Sequence, residues 1–339
     1  MKYLEKYNAM KSAIAECHKI DEIKLIRDKA ESIRYALIQA KESPEWIRQA
    51  EEIKLRAERR AGEIIPEQIT IGTKYHPVIL SDLKITPKQS SNWQNIADIP
   101  EEQFENYIQT QKEITTSGAV KIARKLKILK QREDFAEIGS KIKIDTPLIC
   151  GDFYTSDIKE NSIDLILTDP PYPKEFLPQW EKLGEFANRV LKPSKFLVAY
   201  SGILHLNETI QLLNKNMIYY WTFALIHKSN KQLIMPRNLF CGWKPLLIFQ
   251  KKPFKKLEDK FEDIVDGSGR EKNLHDWAQA ENELDYIIKN FTMENDIILD
   301  PLAGSGTTLL AAKKNNRNSM GVDVEEENIN IIKHRLSNV

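Results

Sequence analysis

The sequence predicts an α/β fold, with an all-helical N-terminal region ahead of an open, largely parallel sheet. Three observations carry this prediction. From Ile142 onward, short apolar stretches alternate with helical ones, the pattern of an α/β sheet. Two of those stretches end in proline- or glycine-bearing turns, and the ends of strands are where an open parallel sheet places its ligands. Before Ile142, apolar residues recur at near-helical spacing among many charges.

The chain has 339 residues, 41% hydrophobic and 29% charged, enough for a sizeable core and more than one domain. Three ranges are expected: a helical hairpin or arm over 1–65, a helical module over 66–135, and the α/β domain over 136–339. A formal net charge of +1 gives no global electrostatic case for nucleic acid, so any basic footprint must be local. Cys17, Cys150 and Cys241 lie far apart without metal-ligand spacing, which predicts no metal site and no disulfide framework. With no signal peptide and no bilayer-length apolar run, the chain is expected to be cytoplasmic and off the membrane.

Taken in order, Asp21 to Ile64 reads as helical, broken at Ser43-Pro44, with Ser43 as cap and Pro44 at the first helical position. Arg56, Arg59 and Arg60 fall on the polar positions of the second helix. This pair is a solvated hairpin, an oligomerisation arm compatible with a homodimer, or a nucleic-acid contact. Pro66 to Tyr75 reads as a linker. A short helix at Ser81–Lys84, a turn at Ile85-Thr86 and a helix opened by Thr86-Pro87 then suggest a helix-turn-helix. Lys88, Gln89, Ser90 and Asn92 would be exposed on it, with Lys88, Gln89 and Asn92 as candidate DNA contacts. Trp93 and Ile96 would face the core. A third helix starts near Pro100, and a basic helix, Lys121 to Arg132, follows as a phosphate-tracking or solvated element.

In the α/β part, Ser162–Leu167 is a buried strand that runs into Thr168-Asp169-Pro170-Pro171-Tyr172. The two prolines fix φ twice and hold Asp169 on a stiff stalk. A carboxylate, a fixed carbonyl and a phenol in a row suit a flat substrate bearing an NH₂ group. The plainer reading is a strand-end turn with a surface Asp. A second strand, Asp296–Leu299, leads into Asp300-Pro301-Leu302-Ala303-Gly304-Ser305-Gly306-Thr307-Thr308 and a helix. Gly304 and Gly306 allow backbone to approach a ligand, as in nucleotide-binding turns. A third strand, Ser319–Val324, contains Asp323 roughly 20 residues after the first glycine, where an acidic side chain meets ribose hydroxyls in dinucleotide folds. Between two late strands, His227–Asn238 is polar and basic, with Lys228, Asn230, Lys231 and Arg237 placed to meet a nucleic-acid backbone or an extruded base.

These motifs resemble those of the S-adenosylmethionine-dependent DNA amino-methyltransferases, over roughly Ile142 to Leu336. Asp169-Pro170-Pro171-Tyr172 looks like the catalytic motif and Asp300 to Thr308 like the cofactor motif, in the permuted order called beta. The resemblance implies a Rossmann-like methyltransferase sheet, S-adenosyl-L-methionine as cofactor and double-stranded DNA as partner. It implies catalytic roles for Asp169, Pro170, Pro171 and Tyr172. It implies cofactor contacts from Asp300, Pro301, Ala303, Gly304, Ser305, Gly306, Thr307, Asp323 and Val324. A Gly-Asp at Gly151-Asp152 implies that Asp152, with Phe153, approaches the adenine of the cofactor. His275 and Gln279 stand where many relatives carry a His-Pro-x-x-Lys-Pro segment, which this chain lacks, and are the candidates there. Target recognition would fall in Lys251–Glu271.

An Asp in the first motif position implies adenine N6 as target. Cytosine N4, RNA, or a DNA-binding protein with an inactive methyltransferase domain are the alternatives. None of the cysteines follows a proline, so cytosine-C5 methylation has no nucleophile. The family implies a restriction-modification or phage-like setting and leaves open whether a restriction endonuclease accompanies the protein.

Overall fold

The structure, a computed structural model, describes residues 2–68, 80, 82–226, 231–266 and 281–339. It divides into two compact units, Met1–Gln131 and Arg132–Val339, with the division falling inside one long helix.

The first unit is helical: α1 (Lys2–Glu16), α2 (Ile20–Gln39), α3 (Pro44–Gln68), α4 (Pro87–Ala97), α5 (Glu101–Thr110) and the start of α6 (Thr116–Ser140). Sequence periodicity misses α1, yet its Ile14 is buried beside Ile20, Ile23, Ile53 and Ala57. Burying one such isoleucine contributes about 1.5–3 kcal/mol, enough to hold a helix of modest amphipathicity in place. Pro66, expected to open a linker, lies inside the last turns of α3. At Gly62 an added Cβ would stand 2.0 Å from the Trp93 carbonyl oxygen, so glycine lets the backbones of α3 and α4 touch.

The arginines of α3 are engaged within this unit. Arg56 reaches Glu105 through Nη2 at 2.8 Å and Glu52 through Nε at 2.8 Å. Arg59 lies 4.4 Å from the centre of the Phe104 ring and 2.7 Å from Glu101. Arg60 donates to the Cys17 carbonyl at 3.1 Å. A direct nucleic-acid role for these three is therefore not what their partners indicate.

The helix opened by Thr86-Pro87 forms as α4, and Thr86 caps it in a capping box with Gln89. Among the described residues, the preceding helix of the expected helix-turn-helix does not form. Residues 82–84 make a turn, with Lys84 at φ 54°. Ser90, expected at the surface, is buried and accepts from Gln94 Nε2 at 3.0 Å. Trp93 and Ile96 are buried as the pattern requires.

The second unit contains β1 (Leu148–Cys150), β2 (Ile163–Thr168), α7 (Leu177–Val190), β3 (Leu191–Tyr200), α8 (Leu206–Leu213) and β4 (Ile218–Ile226). There follow β5 (Gln232–Ile234), β6 (Leu239–Cys241), β7 (Trp243–Gln250), β8 (Ile264–Asp266), α9 (Glu281–Phe291), β9 (Ile297–Asp300), α10 (Thr307–Lys314), β10 (Asn318–Asp323) and α11 (Glu326–Ser337). Eight of the described strands form one sheet in the order β1-β10-β9-β2-β3-β7-β4-β8, in which β7 runs antiparallel to both neighbours.

β2 is buried along its whole length because both faces are covered. Its alternation sorts the core: Ile166 packs with Trp180, Phe186 and Leu197 under α7. Leu165 and Leu167 pack with Ile287, Phe291 and Ala311 under α9 and α10. The remainder of α6 lies on α11, where Phe135 and His334 have ring centres 4.5 Å apart. No described helix is long and apolar enough to cross a membrane.

After β4, Gln232–Ile234 of the polar, basic stretch forms β5 and pairs with β6 just beyond it, a hairpin in a small sheet of its own that exposes Met235 and Phe240 beside Arg237. The segment expected for target recognition includes β8, which extends the main sheet beyond β4.

Candidate active site

The parallel strands bring their carboxyl ends to one edge. Leu165 and Ile166 of β2 pair with Ile298 and Leu299 of β9, so the peptides that follow Thr168 and Asp300 leave the sheet side by side. Gly321 of β10 pairs with Asp300, and Asp323 pairs with Cys150 of β1. Asp169, the Gly304 loop, Asp323 and Gly151 thus stand at one edge of one sheet, although the chain visits them in a different order.

The glycine loop is held from several sides. Gly304 N–H donates to Asp323 Oδ2 at 2.8 Å and Ala303 N–H donates to the Val322 carbonyl at 2.9 Å. Asp323 Oδ1 accepts from Glu325 N–H and from Asn328 Nδ2, each at 2.9 Å. Asp300 turns inward, buried, and accepts from Leu302 N–H at 3.1 Å. Burial pushes its carboxyl up to about 6, against the opposing hydroxyls of Thr168 and Thr308. Asp300 therefore shapes the loop rather than lining open space. Arg335 of α11 reaches Ser305 Oγ at 3.0 Å and Thr307 Oγ1 at 3.4 Å, so both predicted loop contacts are steadied from behind.

Gly304 has φ +50° and no atom within 4 Å of where a Cβ would stand, so this backbone faces open space. Gly151, bonded through its N–H to the Asp323 carbonyl at 2.9 Å, is equally open. Beside them Val324 is 65% exposed, an apolar side chain offered to whatever enters. An open glycine cradle, a carboxylate and an exposed valine fit an adenosyl group. Pro301, Ala303 and Gly306 are buried and support the cradle. Asp152 is accessible and accepts from Tyr154 N–H at 2.9 Å. Phe153, predicted as a cofactor contact, is instead a core residue at 5.2 Å from the Phe186 ring, because the short turn after Gly151 aims it beneath the sheet.

At the other motif Pro170 is buried and Asp169 is exposed, as a stiff stalk at a sheet edge would have it. Trp180 of α7 donates to the Pro171 carbonyl at 3.4 Å and anchors the turn. Tyr172 is half-buried, and its hydroxyl donates to Asp169. Burial and the neighbouring Asp169 charge push the Tyr172 phenol well above its ordinary range. Gly202, at the end of β3, makes room for this ring: a Cβ there would lie 2.8 Å from Tyr172 Cβ.

Three residues join the site that the sequence reading passed over. Lys244 of β7 places Nζ 3.3 Å from each carboxylate oxygen of Asp169. Tyr200 lies under the same ammonium, 4.5 Å from ring centre to Nζ. Glu283 of α9 is pushed up to about 7 by burial, with Lys244 opposing and Asp169 adding to the effect. Lys244 is separated from Asp169 by 75 positions, and no local pattern signals the pairing.

Of the remaining predicted residues, Lys231 and Arg237 are exposed on or beside the hairpin. Lys88 is exposed on α4, Asn92 is half-buried there, and Gln89 is occupied by its capping box. Lys228, Asn230, His275 and Gln279 lie outside the described residues.

The DNA methylase family model, for N6 and N4 amino-methyltransferases, matches residues 163–334, half of the chain and nearly all of the sheet. The chain belongs to this family. S-adenosylmethionine is the family's cofactor. Among relatives, the chain is 25% identical over 234 residues to the type II methyltransferase M.HpaI of Haemophilus parainfluenzae, covering 57% of this chain and 74% of that one. It is 27% identical over 237 residues to M2.DpnII of Streptococcus pneumoniae, covering 54% and 85%. A structure of TTHA0409 from Thermus thermophilus, a DNA modification methylase complexed with S-adenosyl-L-methionine, is similar at a TM-score of 0.47 and 19% identity, covering 57% and 93%. Both motifs, Asp169 to Tyr172 and then Asp300 to Thr308, lie wholly within the matched range.

Proposed function

We propose that this methylase transfers a methyl group to the N6 amine of an adenine extruded from double-stranded DNA. The observation that carries the reading is Asp169. Its carboxylate stands exposed on a proline-stiffened strand end, one strand away from the open glycine cradle. S-adenosylmethionine, when bound, supplies a methyl group on a sulfonium centre. Gly304, Gly151, Asp323 and Val324 are the residues that would hold it.

The exocyclic amine of adenine is a poor nucleophile, because its lone pair is drawn into the ring. Asp169 and the Pro170 carbonyl are two acceptors for its two N–H groups. They favour the pyramidal nitrogen that forms as the lone pair leaves the ring, which is stabilisation by fixed dipoles and charge. Tyr172 offers a ring on which an extruded base can stack. Lys231 and Arg237 on the hairpin, with Lys88 and Asn92 on α4, are proposed DNA contacts, and the protein is proposed to work in the cytoplasm as part of a restriction-modification or phage-like system.

The test is to incubate the protein with duplex DNA and S-adenosylmethionine labelled in its methyl group, then digest the DNA to nucleosides. Label in N6-methyladenine is the expected result. Label in N4-methylcytosine would move the target to cytosine, and unlabelled DNA would leave a binding protein.

A further inference from the structure

We propose that Lys244 positions Asp169 for the target amine. The inference rests on the reading of Asp169 as an amine acceptor. Asp169 is a short side chain, 56% exposed, at the rim of the sheet. A carboxylate so placed would ordinarily rotate into water, where several orientations are equally well solvated. Its hydrogen-bond partners among the described residues are the Tyr172 hydroxyl and the Lys244 ammonium.

Lys244 differs from a mobile surface lysine. It lies in β7 opposite Leu225 of β4, so its backbone is fixed in the sheet. Its ammonium stands 4.8 Å from the centre of the Tyr172 ring and 4.5 Å from that of Tyr200. Two ring faces hold a cation better than one. Tyr200 is itself buried in the core, which makes the platform rigid. Equal distances of 3.3 Å to both oxygens centre the ammonium between them.

Glu283 from α9 and Asp300 from β9 both feel the charge of Asp169. The chain of support runs from Gly202, which admits the Tyr172 ring, through that ring to the ammonium and then to Asp169.

Lys244→Met keeps the stem and removes the charge, and Lys244→Arg keeps the charge. With labelled S-adenosylmethionine and DNA, the Met variant should lose about 10- to 100-fold in kcat, the range for a misplaced reacting group. Its KM for S-adenosylmethionine and its Tm should stay near wild type, and the Arg variant should recover most of the rate. An unchanged kcat in the Met variant would overturn the proposal, as would a lower KM for DNA at full kcat, which would make Lys244 a placeholder for the base. Equal losses in both variants with a lowered Tm would also overturn it. A crystal structure of the Met variant gives a readout that needs no turnover: Asp169 should leave its present rotamer, and its staying would sink the idea. Wild-type protein that fails to methylate DNA would overturn the function proposed above, while the Asp169 rotamer would still decide the role of Lys244.

Discussion

The backbone N–H of Gly304 donates to Oδ2 of Asp323 across 2.8 Å, joining the loop after β9 to the end of β10. Asp323 also accepts from Glu325 and Asn328 through its other oxygen, so Oδ2 keeps a second lone pair, the one proposed to accept from a ribose hydroxyl. Asp323→Ala should weaken S-adenosylmethionine binding by about 1.5–3 kcal/mol, the range for hydrogen bonds to a charged group. Calorimetry reads this directly. Unchanged affinity would move the ribose contact elsewhere.

Glu283 links stability to pH. Burial raises its carboxyl from the ordinary 4.5 to about 7, with Lys244 opposing and Asp169 adding. Between those values the folded chain keeps a proton that the unfolded chain releases. The group's contribution is therefore fully present below the unfolded value and is lost as pH rises through the folded one. Glu283→Gln removes that loss. Its Tm advantage over wild type should grow from pH 5 to pH 8 and correspond to about 1–2 kcal/mol at the upper end, after allowance for partial exposure. A difference that does not change with pH would contradict the assignment.

Lys121, Arg124 and Lys125 are exposed on α6. If they contact phosphates, replacing all three with Gln should weaken DNA binding at low salt. The slope of log K against log salt should fall by about 0.9 for each lost contact. An unchanged slope with an altered oligomeric mass would make this surface an assembly arm.

The parts of the site legible in the sequence are those that local chemistry determines. Asp169 to Tyr172 and Asp300 to Thr308 each combine a buried strand with a proline or glycine turn, and both end at the sheet edge where such turns belong. The start of α4 at Thr86-Pro87 was readable for the same reason, since a proline at the first helical position is a local signal. What escaped depends on partners distant in sequence. Lys244 acquires its meaning only when β7 inserts antiparallel between β3 and β4. Arg56 and Arg59 look like a basic face until Glu105 and Phe104 of α5 fold onto them. Ser90 looks like a surface residue until the helical unit closes over it, and Phe153 looks like a ligand contact until Phe186 claims it. Where a helix was expected ahead of Ile85, Asp82 to Lys84 make a turn that composition does not reveal.

In the proposed reaction the Asp169 carboxylate accepts from the target amine as it is methylated. The single-turnover rate of methyl transfer by Asp169→Ala, at saturating DNA and S-adenosylmethionine, tests it most directly. A preorganised acceptor of this kind is worth about 100- to 1000-fold in rate, so the variant should be slowed at least that much while its cofactor affinity stays within a few-fold of wild type. A rate close to wild type would contradict the account.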